Sequence, residues 1–169
     1  MATELEDLKI LQTAEGIADA VWKRVVQWDE FARDVVGKQL SRASDSIGAN
    51  IAESYGRFNY GEKLQFLYYS RGSLFETKYW LNRALTRELL QAAEVKDYAG
   101  RLSDVARQLN SFASSLRAQQ KDDKGQLKSI REPATEYAAE ARLEDAISLF
   151  AENELTGLNP NLQSPVSNL

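Results

Sequence analysis

The sequence contains no cysteine and no histidine. The first absence rules out disulfide frameworks and thiolate nucleophiles. The second removes the imidazole needed for Ser-His-Asp or Cys-His catalysis and for histidine-held haem. Together they leave no Cys/His set for structural zinc and no carboxylate–histidine di-iron site of the kind some helical bundles carry. No metal or cofactor is expected. Apolar runs are short, well below the roughly 18 residues that read as a membrane span. Met1–Asp7 is acidic and precedes no apolar segment, so no secretory signal is expected and the reading is cytoplasmic. Proline is scarce and confined to Pro133, Pro160 and Pro165. The first 132 residues therefore contain nothing that deletes a backbone donor, and Ala, Leu, Glu, Gln, Lys and Arg are plentiful there, which favours helix.

Apolar spacing predicts an all-α chain with four amphipathic segments. Leu8, Leu11, Ala14, Ala18, Val21, Val25 and Trp28 mark a helix from about residue 8 to 27. Val36, Leu40, Ala43, Ile47, Ile51 and Ser54 mark a second, about 31 to 55, with Asp29 as N-cap. Asn59 and Glu62 resemble a capping box opening a third, about 60 to 90, along Leu64, Leu67, Leu74, Leu81 and Leu85. Val95, Tyr98, Leu102, Val105, Leu109, Phe112 and Leu116 mark a fourth, about 94 to 119, its stripe widened by Ala99, Ala106 and Ala113. Nothing in Gln91-Ala92-Ala93 breaks a helix. A tight turn there follows from length alone, because one unbroken helix over residues 60–119 would run roughly 90 Å. Four such helices with short loops pack as an antiparallel up-down-up-down four-helix bundle over residues 1–120. Residues 121–169 read as a separate acidic C-terminal extension: a charged linker at Lys121–Gln126, a short helix at about 134–152, and a disordered tail with Asn-Pro and Ser-Pro.

The formal charge of −4 is an average over unlike parts. Residues 20–120 hold 15 Lys+Arg against 11 Asp+Glu, whereas residues 132–169 hold seven carboxylates and one arginine. A slightly basic bundle thus sits between acidic ends. Lys63, Arg71, Lys78, Arg83 and Arg87 lie along the third helix, Arg101, Arg107 and Arg117 along the fourth, and Arg57 at the end of the second. Tyr60, Tyr68, Tyr69, Tyr79 and Trp80 are interleaved with them. Basic stripes with aromatics hold phosphates and stack bases. A mixed charged helix face is more often the ordinary solvated exterior, and aromatics at helical spacing are more often core or subunit contacts. Trp22, Trp28 and Trp80 are read as core or subunit contacts. The acidic tail is either a solubilising segment, a cover for the basic surface or a docking segment for a partner.

The most specific text is Gln39-Leu40-Ser41-Arg42-Ala43-Ser44-Asp45-Ser46-Ile47-Gly48-Ala49-Asn50-Ile51-Ala52-Glu53-Ser54-Tyr55-Gly56-Arg57, followed by Phe66-Leu67-Tyr68-Tyr69-Ser70-Arg71-Gly72-Ser73-Leu74-Phe75-Glu76. It resembles the bacterial four-helix bundle family encoded by intervening sequences of 23S rRNA genes. Ser54 stands where that family usually has glycine and Ser70 where it usually has alanine. The resemblance spans roughly residues 7–118 and implies an up-down bundle, a ring-shaped homopentamer, and kinship with the accessory protein of diversity-generating retroelements, which binds nucleic acid beside a reverse transcriptase. From spacing, Gln39, Arg42, Ser46, Asn50, Glu53 and Arg57 form a polar ribbon, with Gly56 opening the turn after it. Asn50, inside the apolar stripe, is expected partly buried and fixing helix register. Ser73 and Glu76 share a face, Gly72 is expected to admit a neighbouring helix, and Glu76 is expected to meet Arg42 or Arg57. The chain is thus read as a non-enzymatic oligomeric interaction protein, binding RNA or DNA with a partner protein such as a reverse transcriptase. The alternative is a protein-binding scaffold without nucleic-acid affinity.

Overall fold

The computed structural model describes residues 4–127. Four long helices form the bundle, preceded by a single 3-10 turn at Leu5–Asp7. Helix α1 is Lys9–Val25. Helix α2 covers residues 30–56: a first turn Glu30–Ala32, a π-helical segment Arg33–Gly37, and the regular stretch Lys38–Gly56. Helix α3 is Tyr60–Thr86 and α4 is Ala92–Leu127. No strand occurs among the described residues. Contacts join α1 with α2, α2 with α3, α3 with α4 and α4 back to α1, which closes the four-helix ring.

Helix ends follow local chemistry. Asp29 caps α2, its carboxylate accepting from the Ala32 N–H at 2.9 Å. Asn59 caps α3 by accepting from the Gly61 N–H at 2.8 Å, so the cap is an Asx-type turn and not the reciprocal box with Glu62 that spacing suggested. The unmarked boundary after α3 is a Schellman turn. Glu88 N–H donates to the Leu85 carbonyl at 3.0 Å, and Leu89 N–H reaches back to the Ala84 carbonyl at 2.9 Å. Glu88 holds φ 58°, the left-handed position glycine usually fills. With glutamate there, the sequence carries no stop signal, and α3 ends four residues before the expected Leu90. At its other end α4 runs through the stretch assigned to a charged linker, reaching Leu127. The helix expected at about 134–152 and the tail beyond it lie outside the described residues.

The core is apolar and built from the anticipated stripes. Val36, Leu40, Ala43, Ile47, Ile51 and Ser54 of α2 are all buried, as are Leu67, Leu74 and Leu81 of α3 and Val95, Tyr98, Leu102, Val105, Leu109 and Leu116 of α4. In α1 the buried face includes Ile10 and Ile17, which the spacing missed, while Ala18 is only half-buried. The π segment explains how Ala32, Val36 and Leu40 all face inward: successive steps of four would drift off an α-helical stripe, and one wider turn restores the register. Gly37 closes that turn directly against α1. A Cβ added there would stand 2.5 Å from Cγ1 of buried Val25.

Candidate nucleic-acid interface

Two sets of polar residues emerge, one that joins helices and one that faces outward. The joining set begins with the quoted motif. The Asn50 amide is half-buried and donates to the Ser46 carbonyl at 2.7 Å and to Ser73 Oγ of α3 at 3.4 Å. Ser70 Oγ, fully buried, donates to the Ile47 carbonyl at 2.9 Å, and Ser54 Oγ donates to the Lys63 carbonyl at 2.9 Å. The two serines that depart from the family pattern thus tie α2 to α3 through backbone carbonyls. Hydroxyls this small allow close helix approach while satisfying their own hydrogen-bonding needs.

Other expectations for the motif need correction. Gly72 is exposed, and a Cβ added there or at Gly56 would meet nothing within 4 Å, so neither admits a neighbouring helix. Glu76 and Arg42 are exposed and joined by no ion pair, and Arg57 pairs with Glu53 on its own helix. An i, i+4 pair competes well because it needs no alignment between two helices. Gln39 and Ser46 are half-buried along the same ribbon.

A tie that spacing did not reveal links α1 to the α3–α4 turn. Arg24 Nε donates to Glu94 Oε1 at 2.7 Å, and its Nη2 donates to the Leu89 carbonyl at 3.0 Å. Glu94 Oε2 accepts from the Gln91 N–H at 2.8 Å, capping α4. These bonds from Arg24 and then Gln91 hold the Glu94 carboxyl below its ordinary range. Tyr98 donates to the Ala20 carbonyl at 3.1 Å, and burial raises its pKa. Burial also raises Asp45, with Asp19 across on α1 adding repulsion.

The outward set sorts the cations by partner. Arg57, Arg101 and Arg107 are each neutralised on their own helix, by Glu53, Asp97 (2.9 Å) and Asp104. Lys63, Arg71, Arg83, Arg87 and Arg117 have no carboxylate partner among the described side chains. Four of them contact aromatic side chains instead. Lys63 lies 6.0 Å from the Tyr60 ring, Arg71 5.7 Å from Phe75 and Arg83 5.9 Å from Tyr79. Arg117 of α4 donates to the Tyr68 hydroxyl at 3.0 Å. Arg57 also stacks over Phe66, at 4.7 Å. Lys78 is half-buried, and Arg87 is exposed as the C-cap of α3.

Positions 60, 64, 68, 71, 75 and 79 follow the three-four spacing of one α3 face, and Tyr68, Phe75 and Tyr79 are exposed along it. Beside this face a shallow groove, open to solvent, lies between α3 and α4, lined by Leu64, Leu67, Tyr68, Arg71, Asn110 and Ala113 among others. Arg71 Nε is buried there with no hydrogen-bond partner. Of the tryptophans, Trp28 is in the core and Trp80 packs on its edge, whereas Trp22 is 60% exposed. No group of three or more Asp/Glu side chains among the described residues could hold a metal ion. No described helix is long and apolar enough to cross a membrane.

Geometry of this kind defines a class: an all-α, antiparallel four-helix bundle with serine- and asparagine-bonded central helices. Residues 6–111 match the family model described as 23S rRNA-intervening sequence protein, and the chain belongs to that family. Among solved structures it is similar to a protein of unknown function from the S23 ribosomal protein family of Bacteroides thetaiotaomicron. The likeness has a TM-score of 0.56 at 22% identity, covering 62% of this chain and 97% of the other, and speaks for the fold. No curated protein matches the sequence.

Proposed function

We propose that this chain is a non-enzymatic, oligomeric interaction module whose α3–α4 face binds RNA or DNA in company with a partner protein. One observation carries the reading: Lys63, Arg71 and Arg83 of α3 and Arg117 of α4 have no carboxylate partner among the described side chains and lie against aromatic side chains of α3. Guanidinium groups held against aromatic rings offer phosphates a charge and offer unpaired bases a stacking surface. Repetition of a weak patch around a homo-oligomer, a pentamer by family resemblance, would add avidity without new contacts.

Fluorescence anisotropy with a structured RNA and a single strand, run across a salt series, tests this. Affinity should fall steeply with salt, and Arg71→Ala and Arg117→Ala should each flatten the log–log slope by about one unit. Arg101→Ala, whose cation is already paired with Asp97, should leave the slope unchanged. Salt-insensitive binding, no binding, or equal losses from all three variants would refute it.

A second reading, a protein scaffold without nucleic-acid affinity, is favoured by a separate surface. Trp22 of α1, Val26 just after it, and Phe31 and Val35 of α2 are exposed around the turn that joins those helices. Exposed apolar clusters of this kind mark contacts with protein. Light scattering addresses the assembly directly: a mass of 19.0 kDa at micromolar concentration is the monomer and would exclude the oligomer.

A further inference from the structure

We infer that the acidic segment 132–154 of this same chain is the occupant of the α3–α4 groove. The inference concerns the apo protein and does not require that nucleic acid binds.

Three observations converge. The groove is apolar at its floor, through Leu64, Leu67, Leu109 and Ala113, and cationic through Arg71 in its lining and Arg117 beside it, bonded to the lining Tyr68. Arg71 Nε is enclosed without an acceptor, and a guanidinium in that position is best satisfied by a carboxylate. The sequence beyond α4 supplies the complement: Glu132, Glu136, Glu140 and Glu144 recur at every fourth position, with Tyr137 and Ala141 between them. Glu132–Glu154 carries seven carboxylates against one arginine. No other stretch of the chain is as acidic, and none of the described carboxylates engages Arg71 or Arg117.

Reach agrees with charge. The α4 helix continues from Asn110, in the groove, to Leu127, a distance of about 26 Å at 1.5 Å per residue. Returning over that distance takes about eight extended residues at 3.3 Å each. A chain turning back at residue 128 therefore comes level with Arg117 near Glu132 and with Arg71 near Glu136. No loop need be stretched, and the remaining residues are left to follow the α3 face toward Tyr79. Occupied in this way, the carboxylates take the place that phosphates would take under the function proposed above, so the tail acts as a competitor.

The absence of native cysteine allows a direct test on the full chain. One cysteine goes on the groove wall, Asn110→Cys, and one in the tail at the residue that comes level with it, Thr135→Cys. The control pair keeps the tail cysteine and places the other on exposed α1, as Glu15→Cys. Under mild oxidant the groove pair should form an intramolecular disulfide at least tenfold faster than the control pair, read on non-reducing gels. Adding Arg71→Ala with Arg117→Ala, or raising salt to 1 M, should remove most of that advantage. Circular dichroism confirms that each variant is folded. Equal rates for the two pairs overturn the inference. So does a groove cross-link found only between two chains, which would make a second copy's tail the occupant. RNA titration of the variant with Glu132, Glu136, Glu140 and Glu144 changed to Gln separates the two proposals. Tighter RNA binding than the parent supports the tail as competitor. Unchanged RNA affinity beside a fast groove cross-link overturns the competition while leaving the docking supported.

Discussion

Gly37 gives the sharpest check on the packing of α1 against α2. Alanine there would set its Cβ 2.5 Å from Val25 Cγ1, with Arg33 Cγ and Trp28 Cε3 at 3.6 Å on either side. Val25 is 4% exposed and β-branched, so it has neither room nor an alternative rotamer to retreat into. Overpacking of this kind costs about 1–3 kcal/mol, partly offset by alanine's helix preference of about 1 kcal/mol over glycine. The net expectation for Gly37→Ala is a loss of about 1–2 kcal/mol. Val25→Ala alone should cost about 2 kcal/mol in lost burial and cavity. In the double variant the new methyl enters the space the valine vacates, so the combined loss should fall short of the sum by about 1–2 kcal/mol. Urea denaturation of the four proteins gives the coupling energy, and 1 kcal/mol corresponds to roughly 4 °C in Tm for a domain of this size. Additivity within about 0.5 kcal/mol would show that the two residues do not meet, and the reasoning would fail.

Further expectations rest on single contacts. Arg24→Ala should cost about 1 kcal/mol, because it removes a charge-assisted bond to Glu94 and one to the Leu89 carbonyl at a site about one-third exposed. Glu94 titrates below its ordinary range in the folded protein. Its stabilisation is therefore full at neutral pH and lost as pH falls below about 4.5 through the folded value. The Arg24→Ala penalty measured by denaturation should shrink over that interval, and a constant penalty would refute the assignment. Asp45 has the opposite sign: raised by burial and Asp19, it weakens the fold at neutral pH and ceases to do so once protonated. Asp45→Asn should therefore raise Tm at pH 7 and not at pH 3, and equal melting at pH 7 would contradict this. Glu88→Gly should gain about 0.5–1 kcal/mol by relieving the left-handed backbone, a gain that Glu88→Ala should not reproduce in the same denaturation assay.

The fold was legible where burial imposes a period. The α2 stripe, from Val36 to Ser54, was correct at every position because its apolar residues outnumber alternatives. Boundaries were legible only where chemistry marks them. Asp29 announces a cap, but Glu88 occupies a left-handed turn without glycine, and the end of α3 had no signal. The site was legible in composition and not in pairing. Arg101 and Arg107 read from sequence like Arg71 and Arg117, and Asp97 and Asp104 lie close enough in sequence to have marked the first pair as self-neutralised. The contact of Arg117 with Tyr68, 49 residues apart, depends on how α3 and α4 are set against each other, which no local spacing specifies. The Arg24–Glu94 tie is hidden for the same reason.

Two groups of hydrogen bonds between helices differ sharply in range along the chain. Those joining α2 to α3 close loops of 9 to 23 residues, through Ser54, Ser70 and Asn50. Those that tie α1 to α4 and its preceding turn span 65 to 95, through Arg24, Tyr98 and Thr13 with Gln108. Short loops cost less chain entropy to close than long ones. The central hairpin is thus the part of the chain able to organise itself early, and the seam between first and last helices is the one that closes late. Native-state amide exchange would follow the reverse order: α1 peels from α4 in a partial opening while α2 and α3 stay paired. A bundle built this way can part along one seam, and present its interior there, without dissolving.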